Sequence, residues 1–152
     1  MLSPRWQHEP LSGAGAARNG GRWNARGTPA LYLSADHGTA IAEYLQAIVH
    51  PGTLTPYEVA IGDVLDLTDP GVIDAAGVDR SLLTLPWRTI RDIERRDPES
   101  WIFAAGAMEA GFAGMRVGSA VARGINLVLW RWLEPAGAVR VVDPHQELGL
   151  RD

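Results

Sequence analysis

One continuous stretch constrains this chain more than any other: residues 20–44, GGRWNARGTPALYLSADHGTAIAEY. It joins a glycine-rich turn, a short apolar strand, a polar turn and a helix that carries a single carboxylate. Gly20, Gly21 and Gly27 admit backbone conformations closed to other residues and let a ligand approach the main chain. Arg22 and Arg26 supply planar five-donor forks that match phosphate oxygens or a ribose edge. Side chains alternate along residues 31–34, so Leu31 and Leu33 share one face while Tyr32 and Ser34 share the other. Asp36 is placed to cap the helix that follows. Within that helix Ile41, Leu45 and Ile48 recur at i, i+4, i+7 and predict one apolar stripe, the kind that faces a core. Glu43 falls off the stripe, with Ala40 and Ala47 as helical neighbours that leave room for a ligand beside it. On pattern alone Glu43 reads as an ordinary solvated helix glutamate.

The 152 residues suit one domain with a single well-filled core, spanning 1–152. A net charge of −4 provides no basic field for nucleic acid, so direct DNA contact is not expected. Cysteine is absent, which excludes disulfides, thiolate metal sites and cysteine nucleophiles. Lysine is absent too, since all 14 basic residues are arginine, and Schiff-base chemistry goes with it. No apolar run reaches membrane length and no leader pattern is visible, so the expected location is the cytoplasm, without a membrane partner.

Residues 1–19 read as an irregular, glycine-rich segment. After the Glu43 helix, 55–61 and 64–67 alternate as strands, and the Asp-Pro-Gly at 69–71 breaks the chain. Asp63, Asp66 and Asp69 fit turns and caps better than a metal loop, and no metal is expected. Residues 72–96 predict short helices, with a charge-dense surface over 90–100. A helix from about 99 to 110 starts at Pro98, ends at Gly111 and carries a small-residue run, 104–107, suited to tight packing on a sheet. Strands are predicted over 115–119, 125–132 and 139–142, joined in part by a turn at Arg123 and Gly124. Trp130 and Trp132 fall in this region as core rather than a base-stacking platform. Six or seven short strands in mixed order with helices indicate an α+β fold, and no strand–GxGxxG–helix unit marks a Rossmann site.

The motifs GGRWN, Gly-Thr-Pro-x-Leu-Tyr and Ala-x-x-Glu, in this order, resemble the RES domain family, which is named for an arginine, a glutamate and a serine. PLSGAGA at 10–16, VLDLTDP at 64–70, LPW at 85–87 and GFAGMRVGSAVARGINLVLW at 111–130 extend the resemblance over nearly the whole chain. The family supplies the toxins of RES–Xre type II toxin–antitoxin pairs and is similar in fold to diphtheria-toxin-like ADP-ribosyltransferases. The resemblance therefore implies an ADP-ribosyltransferase-like split β-sheet core with flanking helices. The family's further upstream arginine falls at or before Met1, which implies a start upstream of Met1 or substitution by Arg5 or Arg18. His8, nearby, reads as a solvated loop histidine.

The resemblance also implies consumption of NAD+ as substrate, by cleavage of the nicotinamide–ribose bond through an oxocarbenium-like transition state. Such chemistry needs a cation for phosphate or ribose, an aromatic face for nicotinamide and a carboxylate near the developing charge. Arg22, Tyr32 and Glu43 match the family's residues for these roles, and Ser119 matches its serine, expected to position Arg22, the ribose or the phosphates. No histidine or aspartate is evidently paired with Ser119 in the way an activated serine requires. Asn24, Arg26, Ser34 and Asn126 are further candidates for NAD+ contacts, and Trp23 reads as packing.

The acceptor of ADP-ribose is left open between a cellular protein side chain and water or phosphate. Ile41 stands two positions before Glu43, where arginine-directed transferases carry an acid or glutamine, so that subtype is not supported. The family pairs with an Xre-like helix-turn-helix antitoxin, which would inhibit in trans, with residues 87–101 as one docking surface. Two other readings compete: a non-catalytic NAD- or ADP-ribose-binding module, and an antitoxin-binding co-repressor subunit.

Overall fold

A computed structural model describes residues 1–4, 7–46, 51–146 and 148–150. Among the described residues six strands form two sheets. The larger contains β1 (Leu31–Ser34), β3 (Val64–Asp66), β4 (Gly114–Gly118) and β5 (Ile125–Leu129), in the order β1-β5-β4-β3. β5 runs antiparallel to both β1 and β4, whereas β3 lies parallel to β4. The smaller sheet pairs β2 (Tyr57–Ile61) with β6 (Gly137–Val141), antiparallel. The chain is thus a single α+β domain with a split sheet.

The helices are α1 (Ala14–Asn19), α2 (His37–Leu45), α3 (Pro70–Ala75), α4 (Trp87–Asp92) and α5 (Glu99–Glu109), with a 3-10 turn at Arg80–Thr84. Each of α2 and α3 begins at an aspartate cap. Asp36 accepts from the Thr39 N–H at 2.8 Å, and Asp69 accepts from the Gly71 N–H at 2.7 Å. α1 lies within the segment expected to be irregular. Its glycine- and alanine-rich sequence carries no apolar period, and it ends where Gly20 takes a left-handed φ of 71°.

The main core lies between the larger sheet and the helices. Met115, Val117 and Val128 meet Ala104, Ala107, Ile73 and Trp23 there. Only half of the small-residue run on α5 faces this core, because Ala105 and Gly106 point outward. A second cluster, Leu31, Leu129, Trp132 and Val139, joins the two sheets. β5 stops before the tryptophans, since the backbone N–H groups of Trp130 and Arg131 both turn to the Ala113 carbonyl. Both indoles are nonetheless buried, donating to the carbonyls of Trp23 and Leu11.

The apolar stripe expected on α2 does not face the core. Ile41 is 39% exposed and Leu45 60% exposed, and the buried residues of α2 are Thr39 and Tyr44. Ile48 and Ala47 lie outside the described residues. The physical reason is local: α2 packs over polar groups at the end of the larger sheet, so the face carrying Ala40, Glu43 and Tyr44 turns inward. Among the described residues no helix is long and apolar enough to cross a membrane.

Candidate active site

The glycine turn is built around one phenol. Tyr32 projects from β1 so that its hydroxyl donates to Asn24 Oδ1 at 2.7 Å and accepts the Trp23 backbone N–H at 2.9 Å. Asn24 is fully buried and spends its amide N–H groups on the carbonyls of Ala16 and Thr28. A Cβ on Gly21 would stand 2.3 Å from the Tyr32 hydroxyl oxygen, so only glycine permits the closure. The phenol oxygen is sunk beneath the turn while the ring stays open, leaving the residue 41% exposed. Burial raises the Tyr32 hydroxyl well above its ordinary pKa, against the smaller opposing effects of the Trp23 N–H and the Arg22 charge. The hydroxyl is therefore a structural hydrogen-bonding group, and the residue lines a cavity alongside Glu43.

Two segments distant in sequence converge on Glu43, joined by a neighbour at the end of its own helix. Its Oε1 accepts from Ser119 Oγ at 2.7 Å and from Asn126 Nδ2 at 2.6 Å, and its Oε2 accepts from Gln46. The donors are themselves fixed. Ser119 Oγ accepts the backbone N–H groups of Val121 and Ala122, and Asn126 Oδ1 accepts the Ser34 hydroxyl at 2.8 Å. Ser34 and Asn126 are direct partners in the β1–β5 ladder, so sheet register sets this last bond. Charge-assisted bonds of this kind hold a carboxylate in one orientation.

Glu43, Gln46, Ser34 and Asn126 border this cavity of about 520 Å³, within the range of small-molecule sites. Arg22, Tyr32, Ser34, Glu43 and Asn126 all line it. Arg22 donates to the Leu83 carbonyl at 2.8 Å, which fastens the glycine turn to the 3-10 turn. Burial lowers the Arg22 pKa, the Glu43 charge opposes this, and the neighbouring Arg88 adds to the lowering. A second cavity of about 620 Å³ adjoins the first, with Arg22, Leu83, Gly118 and Ala120 on both walls and Ser119 on its own side.

The sequence profile of the RES domain matches residues 2–151. The chain belongs to the RES domain family. A chain of the crystal structure of the M. tuberculosis MbcT–MbcA toxin–antitoxin complex is similar at 27% identity and a TM-score of 0.58, over 88% of the present chain and 76% of that chain. No curated protein matches the sequence.

Within this RES domain, Arg22, Tyr32, Ser34, Glu43 and Asn126 share one cavity, and Ser119 reaches Glu43 from the adjoining one. Ser119 holds the carboxylate rather than Arg22. Asn24 sits beneath the site and acts through Tyr32. Arg26 and Arg18 are exposed and line neither cavity, and Arg5 lies outside the described residues. His8 bonds the Gly149 carbonyl at 3.1 Å. Sequence reading missed Gln46, Leu83 and Arg88 as site residues. Gln46 stands three positions after Glu43 on the same helix face, a spacing that was open to notice. Leu83 contributes through a backbone carbonyl, which leaves no mark in a sequence.

Proposed function

We propose that this chain is the toxin of a type II toxin–antitoxin pair and that it cleaves the nicotinamide–ribose bond of NAD+. The observation that carries this reading is a carboxylate fixed by two donors on one oxygen, in the same cavity as an open aromatic ring and a guanidinium. Family membership and the toxin–antitoxin complex among its structural relatives support the biological setting.

In this reading the Tyr32 ring stacks on nicotinamide, and Arg22 holds phosphate or ribose oxygens. Glu43 Oε1 is engaged by Ser119 and Asn126, which leaves Oε2, whose partner is the exposed Gln46, to accept ribose hydroxyls. The bond between ribose C1′ and the ring nitrogen breaks, and its electron pair leaves with neutral nicotinamide. The Glu43 charge stabilises the positive charge that develops at C1′. A lone pair of the acceptor then bonds to C1′ and the acceptor proton is released to solvent. Water or phosphate makes the enzyme an NAD+ glycohydrolase or phosphorylase, and a protein side chain makes it an ADP-ribosyltransferase. An Xre-like helix-turn-helix antitoxin acting in trans would restrain it.

The test is incubation of the purified protein with adenine-labelled NAD+, beside Glu43→Gln. Nicotinamide release that is lost in Glu43→Gln supports the reading, and label on small molecules or on lysate protein selects the acceptor. No release from the wild type, with or without phosphate and lysate, rejects it.

A further inference from the structure

Two guanidiniums line the main cavity, Arg22 and Arg88, and among the described residues no carboxylate forms an ion pair with either. Each has a contact that limits its motion. Arg22 is tied to the Leu83 carbonyl. Arg88 lies against the Trp87 ring, its Cζ 5.1 Å from the ring centroid. The same ring carries Arg91 at 4.8 Å, and Arg91 donates to the carbonyls of Asn19 and Gly20. α4 is thereby cross-tied to the glycine turn, two residues from Arg22. The two cations cannot drift apart without breaking one of these ties.

Two like charges lining one cavity are mutually unfavourable, and at Arg22 the neighbouring Glu43 charge opposes this. An anion with two separately charged oxygen groups removes that penalty and offers each planar fork its own acceptors. A stacked indole also limits the motion of Arg88, so less freedom is lost on binding. We infer that Arg88 is a second anion-binding residue of this site, which forms with Arg22 a two-pronged clamp for the diphosphate of the dinucleotide. This rests on the reading of the cavity as an NAD+ site. It assigns to LPW and the residue after it, Leu85 to Arg88, a part in ligand binding rather than in packing alone.

The clamp is tested by calorimetric titration with ADP-ribose, which keeps the diphosphate and lacks the scissile bond, and with nicotinamide riboside, which lacks the diphosphate. The proteins are the wild type, Arg88→Gln, Arg88→Lys and, as a charge control, Arg140→Gln, whose arginine pairs with Glu58 on the smaller sheet. Arg88→Gln is expected to weaken ADP-ribose binding about tenfold, the effect of one charge-assisted contact. It should also reduce the salt dependence of that binding and leave nicotinamide riboside unchanged. Arg88→Lys should recover part of the loss, and Arg140→Gln should bind as the wild type does. On NAD+ turnover, Arg88→Gln should raise KM and leave kcat nearly unaltered, because the diphosphate is held equally before and during bond cleavage. Wild-type affinity for ADP-ribose in Arg88→Gln overturns the clamp, as does equal loss of both ligands. If the wild type binds ADP-ribose but releases no nicotinamide, the titration still decides the clamp while the proposed reaction falls. If it binds neither ligand, both fall.

Discussion

Ser119 Oγ donates a 2.7 Å hydrogen bond to Glu43 Oε1 across 76 positions of chain. The lone pairs of the serine oxygen are engaged by the backbone N–H groups of Val121 and Ala122, which holds the hydroxyl as a donor to the carboxylate. Its place is to orient Glu43. Ser119→Ala removes a bond to a charged group, worth about 1.5–3 kcal/mol. We expect kcat to fall roughly 10- to 100-fold. Steady-state nicotinamide release, with thermal melting as the check on folding, measures this. Unchanged kcat rejects the orienting role.

Gly124 is the pivot of the loop between β4 and β5. A Cβ there would stand 1.8 Å from Thr39 Oγ1 and 2.7 Å from Asp36 Oδ2, which hydrogen-bond to each other beside the Asp36 cap of α2. Gly124→Ala should destabilise the fold by about 1–3 kcal/mol through overpacking. It should also reduce activity beyond the stability loss, since it moves Glu43 on α2 and Ser119 on the loop apart. Urea denaturation and turnover on the same preparation test both effects.

Tyr32 combines a buried, hydrogen-bonded hydroxyl with a ring that lines the cavity, to which the proposed function assigns nicotinamide stacking. Tyr32→Phe leaves Asn24 Oδ1 and the Trp23 N–H without their partner and should cost about 1–3 kcal/mol of stability. It keeps the ring, so KM for NAD+ should change little. Tyr32→Ala should raise KM strongly. Equal KM values for the two variants would sink the stacking role.

The tyrosines also set an alkaline limit. Burial pushes the Tyr57 hydroxyl up to about 12, and it raises Tyr32 further. Unfolded tyrosine ionises near pH 10. Above that value the unfolded chain releases protons that the folded chain retains, so stability is intact below about pH 10 and declines as pH rises through the folded values. Denaturant midpoints measured from about pH 9 to 12 should fall, and the slope should be shallower in Tyr57→Phe.

The local pieces of this protein were legible because short-range rules govern them. Asp36 caps α2, α5 begins after Pro98, and the LYLS segment is a strand. Each of these depends on contacts within a few residues or on alternation along one segment. Motif resemblance then placed Arg22, Tyr32, Glu43 and Ser119 in one family pattern, without saying how they meet. Tertiary structure decided that. Ser34 reaches Asn126 only because β1 pairs with β5 in a given register, and Ser119 meets Glu43 only because the loop after β4 closes over α2. The same packing exposed Ile41 and Leu45, since a helix buries the face that its neighbours can satisfy, and here those neighbours are polar donors that need a carboxylate. Arg88 shows the remaining limit: an arginine beside a tryptophan has no special meaning in sequence, and it comes to line the same cavity as Arg22 only because α4 is tied to the glycine turn.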